Sequence, residues 1–150
     1  MSKPAKSTAR SAARLAAVQA LYQYHMEKTP PARLLNEFHQ HRLGREIEDE
    51  QYAEAEVAFF DDLVSGTIAR AEEIDALVAS KLSEGWSLTR LDKTMVQILR
   101  VGTYELLARA DVPTGAAISE YVDVAHAFFE EREAKFVNGL LDAVAKEVRQ

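Results

Sequence analysis

The stretch Lys135-Phe136-Val137-Asn138-Gly139-Leu140-Leu141-Asp142, followed by Ala143-Val144-Ala145, decides how the chain is read. Phe136, Leu140 and Val144 recur every fourth residue, an apolar stripe with the period of an α-helix. Asn138 and Gly139 sit inside that pattern, although an amide that competes for backbone hydrogen bonds and a poor helix former are both unfavourable in a packing helix. The expectation is a helix crossing or docking surface so close that a side chain at Gly139 would clash, with Asn138 satisfying a partner. A tight crossing within the chain's own core is the competing account.

The helical period extends outward in both directions, and no stretch shows the sustained alternation of a strand. Leu15, Val18, Tyr22 and Met26 fall on one face of a helix expected from about Thr8 to Lys28. Pro30-Pro31 punctuates it and opens a shorter helix in which Leu34, Leu35 and Phe38 face inward, with Gly44 as its stop. The acidic run Glu46, Glu48, Asp49 and Glu50 suits a helix N-terminus and leads into Val57, Phe60, Val64 and Ile68, then Ile74, Leu77, Val78 and Leu82. Such a run is too long for one helix, so a break is expected near Arg70 to Glu73. Gly85-Trp86-Ser87 marks the next boundary. Beyond it come a stripe of Met95, Ile98, Leu99, Gly102 and Leu106, a turn at Asp111-Val112-Pro113-Thr114, a helix from about Gly115 to Phe129, and a last helix from about Arg132 to Val148. Gly66, Gly102 and Gly139 all lie within helical patterns and suggest close crossings. The expected architecture is all-α, a single compact bundle of about seven helices formed by residues 1–150, with residues 1–7 as a flexible basic arm.

At 150 residues with 47% apolar content, the chain is long enough for one domain with a real core. It has no cysteine, hence no disulfide framework and no thiolate metal site, which suits a cytoplasmic setting. Met1 to Lys6 lead into arginine-spaced sequence without an apolar run, so no secretory signal is expected, and no segment reaches membrane-spanning length. The net charge of −6 is unevenly spread. Through Arg33 the bases are Lys3, Lys6, Arg10, Arg14, Lys28 and Arg33 against Glu27 alone, a local charge of +5 that leaves −11 on the remainder. A basic arm on an acidic body can hold a phosphate backbone locally and attract a basic protein elsewhere.

Catalytic and metal constellations are not expected. Di-metal bundles need Glu-x-x-His pairs on two helices, whereas only Asp123 and His126 stand at that spacing, His39 and His41 point to different sides of a helix, and His25 has no ligand partner at helical spacing. There is no serine elbow and no glycine-rich phosphate loop, and the adjacent pairs Asp61-Asp62 and Glu130-Glu131 diverge on a helix. No cofactor is expected, and binding is the remaining class of function.

Four blocks, Arg10-Ser11-Ala12-Ala13-Arg14-Leu15-Ala16-Ala17-Val18-Gln19-Ala20-Leu21-Tyr22, Leu99-Arg100-Val101-Gly102-Thr103-Tyr104-Glu105-Leu106, Asp111-Val112-Pro113 and Lys135 to Asp142, occur in an order and spacing that resemble the NusB family of bacterial transcription antitermination factors. The resemblance spans nearly the whole chain. It implies an all-helical, non-enzymatic protein that pairs with NusE, a small-subunit ribosomal protein, and binds the boxA element of nascent ribosomal RNA leaders. Together with other Nus factors it would help RNA polymerase read through terminators. By the same resemblance the RNA-contacting residues are Lys3, Lys6, Arg10 and Arg14 at the N-terminus with Phe128, Lys135 and Phe136 near the other end. Tyr22 and Met26 match positions where the family meets NusE.

Arg100, Glu105 and Tyr104 are expected to form a polar anchor, and Thr114 to cap the helix that follows it. Departures from the family pattern bear on affinity. Ser11 and Ala12 stand where relatives carry a denser arginine cluster, the segment from Phe129 to Ala134 is read as a bulky loop with three glutamates beside the RNA path, and Met95 occupies a position where an acidic, partner-facing residue occurs. The alternative reading is a helical interaction or homodimerisation module with weak RNA binding.

Overall fold

Punctuation in the sequence sets the helix boundaries. The computed structural model describes residues 5–41 and 50–149, with side-chain surroundings for 9–40 and 56–149. Among the described residues there are seven α-helices and no strand: α1 (Ala5–Glu27), α2 (Pro31–His41), α3 (Glu50–Ala69), α4 (Ala71–Ser80), α5 (Lys93–Ala108), α6 (Thr114–Phe128) and α7 (Glu131–Val148), with a 3-10 turn at Leu88–Arg90 before α5. The break expected near Arg70 falls at Arg70 itself, between α3 and α4. The expected stop at Gly44 and the acidic run Glu46, Glu48 and Asp49 lie outside the described residues. None of the described helices is long and apolar enough to cross a membrane. The chain divides into two units, Met1–Gly66 and Thr67–Gln150.

In the first unit the buried face of α1 is made of small residues: Ala9, Ala13, Ala16, Ala17 and Ala20, with Val18 and Leu21. Of the large residues expected on that face, Val18 is buried, Leu15 is half-buried, and Tyr22 and Met26 are exposed. Alanine side chains let a neighbouring element approach closely, while Leu15, Tyr22 and Met26 are turned to the edge and to water. α2 buries Leu34 and Phe38, and the Phe38 ring stacks on Phe60 of α3 with centroids 5.5 Å apart. Beside them His39 Nε2 lies 2.6 Å from Asp61 Oδ1. α1 stops at Lys28, which takes a left-handed φ of 56° and whose N–H donates to the Tyr24 carbonyl at 3.0 Å, ahead of Pro30-Pro31.

The second unit is organised around α5, which buries Met95 to Leu99 and Val101 to Leu106 and packs against α4, α6 and α7. Asp92 caps it, its carboxylate accepting from the N–H groups of Thr94 (2.8 Å) and Met95 (3.2 Å). Gly102 is the close crossing: a Cβ there would stand 2.9 Å from a Leu141 methyl and 3.3 Å from the Tyr121 ring. Gly139 is not one, because the space around its hypothetical Cβ is empty to 4 Å and both it and Asn138 are exposed. The inward face of α7 is Ala134, Val137, Leu140, Leu141, Val144 and Ala145, which rotates Phe136 out of the stripe expected for it.

The expected polar anchor runs between helices, through partners that the sequence did not specify. Arg100 makes a bidentate pair with Asp75 of α4 at 2.8 and 2.9 Å, while Glu105, fully buried, accepts from the Tyr121 hydroxyl at 2.7 Å. Thr114 does not cap α6; it is the first helical residue, and its hydroxyl accepts from Arg149 at 3.1 Å. That same guanidinium donates to the carbonyls of Leu106 (2.9 Å), Arg109 (2.7 Å) and Val112 (2.6 Å), so the end of α7 satisfies the end of α5 and the turn after it.

Candidate nucleic-acid interface

On α1 the candidate cations sit around one aromatic ring. The guanidinium carbons of Arg10 and Arg14 lie 4.7 and 5.1 Å from the ring centroid of Phe59 on α3. Arg10 is half-buried and keeps part of its surface in water, whereas Arg14 is 3% exposed. Arg14 therefore has almost no surface to offer a phosphate in this conformation; like Arg10, it lies against the Phe59 ring. Lys3 lies outside the described residues, and Lys6 falls in the first turns of α1, its side chain outside them. Tyr22 and Met26 are exposed one turn apart on α1.

The second set is on α6 and α7. Phe128, the last residue of α6, is 43% exposed, and its ring lies 6.4 Å from that of Phe129. Lys135 and Phe136 stand on the outward side of α7, with Phe136 38% exposed beside exposed Asn138 and Gly139. Large aromatic surface left in water on the outward side of an amphipathic helix is the pattern of a stacking platform.

The glutamates between these aromatics are not a loop. Glu130 is the N-cap of α7 and forms a capping box with Glu133, whose Oε1 accepts from the Glu130 N–H at 3.2 Å. Desolvation opposes ionisation of Glu133, but the backbone N–H groups of Glu133 and Glu130 and the Arg132 guanidinium prevail and hold its carboxyl below the usual range. Glu131, the third, lies in the first helical turn with its carboxylate 3.9 Å from His126. Two of the three charges expected to repel a phosphate chain are thus engaged at a helix N-terminus.

Phe136 also lines a groove of about 630 Å³ together with Leu82, Trp86, Arg90, Met95, Phe129 and Arg132. Met95 is buried in its floor and is not a free, partner-facing residue. Trp86 and Arg90 belong to this surface although the sequence marked Trp86 only as a boundary. The signal that could have found it is a tryptophan in a Gly-Trp-Ser turn, where no core stripe claims it. No cluster of histidine, aspartate and glutamate able to hold a metal occurs among the described residues.

The NusB family model matches residues 11–146 of this sequence. The chain belongs to the NusB family. It is 72% identical to the transcription antitermination protein NusB of Novosphingobium aromaticivorans over 94% of this chain and 95% of that one, and 65% identical to that of Sphingopyxis alaskensis over 100% and 99%. The structure superposes on T. maritima NusB with a TM-score of 0.78 at 32% identity, covering 100% of this chain and 96% of that one. It also matches a chain in a crystal structure of the antitermination factors NusB and NusE in complex with double-stranded RNA, with a TM-score of 0.77 at 27% identity over 93% and 98%. The all-α NusB fold is therefore present.

Proposed function

We propose that this chain is a transcription antitermination factor that pairs with NusE, binds the boxA element of nascent ribosomal RNA leaders and promotes read-through by RNA polymerase, without catalysing a reaction. The observation that carries the RNA part is the outward display of Phe128, Lys135 and Phe136, large aromatics and a cation left in water on helices whose inward faces are packed. Family membership and the likeness to a NusB chain crystallised with NusE and RNA support the same reading.

Arg10 reaches phosphate from α1 and Arg14 positions it; Lys3 and Lys6 extend that surface. NusE sits on the exposed Tyr22 and Met26 of α1, and the acidic balance of the chain outside its first 33 residues favours a basic ribosomal protein. The exposed Asn138-Gly139 pair fits the same account, since a helix position with no internal packing reason for glycine has one if a partner comes close. Transcription of a template carrying a boxA leader upstream of a terminator tests the function as a whole. Read-through that rises when this chain and NusE are added together, and does not when boxA is scrambled, is expected. Equal termination on both templates would leave a helical interaction module in its place.

A further inference from the structure

We infer that the groove between Trp86 and Phe136 seats an unpaired nucleobase stacked on the Trp86 indole, a second base-binding position beside the one at Phe136. The inference rests on the RNA-binding reading above and adds to it a residue and a site.

Four observations carry it. First, the segment after α4 is built to hold a tryptophan out in water. Gly85 adopts a φ of +89°, the Trp86 N–H donates to the Ser83 carbonyl at 3.0 Å, and the Arg90 guanidinium donates back to the Gly85 carbonyl, closing the loop on itself. Trp86 is left 54% exposed, more than any other large apolar side chain in the described residues. Second, the Arg90 guanidinium carbon lies 5.4 Å from the centre of the Trp86 ring, so the indole is steadied by a planar cation and the rest of its surface remains available to another planar group.

Third, the charges around the groove favour an anionic chain. Its two acids, Asp92 and Glu133, have their carboxylates committed to the N-termini of α5 and α7, which leaves the Arg90 and Arg132 guanidiniums on the rim. Arg132 is nearly fully exposed and its contact with Glu133 is a surface pair of little energetic weight. Fourth, Phe136 belongs both to this groove and to the proposed RNA surface, so a strand stacked on Phe136 passes directly over it. The volume of about 630 Å³ falls in the range of roughly 300–1,000 Å³ that houses small organic groups.

Trp86 is the only tryptophan in the chain, so its emission reports on this one site. The test titrates the whole protein with a single-stranded boxA-type oligoribonucleotide, following anisotropy of a labelled strand in one experiment and tryptophan emission with unlabelled strand in another. Emission is expected to be quenched over the same concentrations at which anisotropy rises. Trp86→Ala is expected to weaken RNA binding about five- to hundredfold, the loss of one stacked base, while Trp86→Phe keeps most of the affinity and both keep the helical circular dichroism. RNA bound by anisotropy with unchanged emission and an unaffected Trp86→Ala variant would overturn the inference and leave RNA binding standing. An emission blue shift on adding NusE without RNA, with no quenching by RNA, would overturn it in favour of a peptide seat. No rise in anisotropy at all would remove the RNA reading and this site with it.

Discussion

Arg10 and Arg14 lie one turn apart on α1 and share the ring of Phe59, yet burial gives them different work. Arg10→Ala removes an accessible cation and is expected to weaken RNA binding while leaving the thermal midpoint nearly unchanged. Arg14→Ala removes a buried cation and the packing of its stem, and is expected to cost about 1–2 kcal/mol of stability by denaturant titration, with any RNA effect following from that. The opposite pattern, a stable Arg14→Ala that loses RNA and an Arg10→Ala that does not, would contradict the assignment. From the sequence both arginines had the same standing, because spacing places them on one edge of the helix and says nothing of how deeply each sits. Phe136 shows the reverse case. It fell on an apolar stripe by its fourfold spacing, and only the packing of Val137 and Leu141 reveals that the stripe is turned away from it.

Helix boundaries were largely legible because they rest on local chemistry: Pro30-Pro31, the Gly85 turn, Asp92 at its cap and Pro113 all act within a few residues. Helix faces were less so. On α1 the buried side is built from alanines that a search for large apolar residues passes over, and the anchor partners Asp75 and Tyr121 are far from Arg100 and Glu105 in sequence. The two helical glycines make the difference measurable. Gly139→Ala puts a methyl into open space on an exposed helix and is expected to stabilise the isolated protein by up to about 1 kcal/mol through helix propensity. Gly102→Ala gains the same propensity but presses on the fully buried Leu141 and Tyr121, so it is expected to be net destabilising by about 1–2 kcal/mol. Equal effects at the two positions in thermal unfolding would mean that α5 and α7 do not cross as described. A Gly139→Ala variant that is more stable yet fails to bind NusE would place the reason for that glycine in the complex.

For the whole molecule the decisive quantity is charge. With a net charge of −6, binding to RNA is not expected to be a general polyelectrolyte attraction. Three or four phosphate contacts to a single strand predict a salt slope of roughly −2 to −3 in log affinity against log salt concentration, shallow for a nucleic-acid-binding protein. A much steeper slope would mean that cations beyond Arg10, Lys135, the N-terminal lysines and the Arg90 and Arg132 of the Trp86 groove take part. On this account the stacked aromatics and the partner protein carry the specificity. The most direct measurement is therefore a fluorescence anisotropy titration of a boxA leader RNA and its scrambled control with this protein, alone and together with NusE. Tighter binding to boxA than to the control, strengthened by NusE, is the predicted result. Equal binding to both RNAs, or none with NusE present, would contradict it.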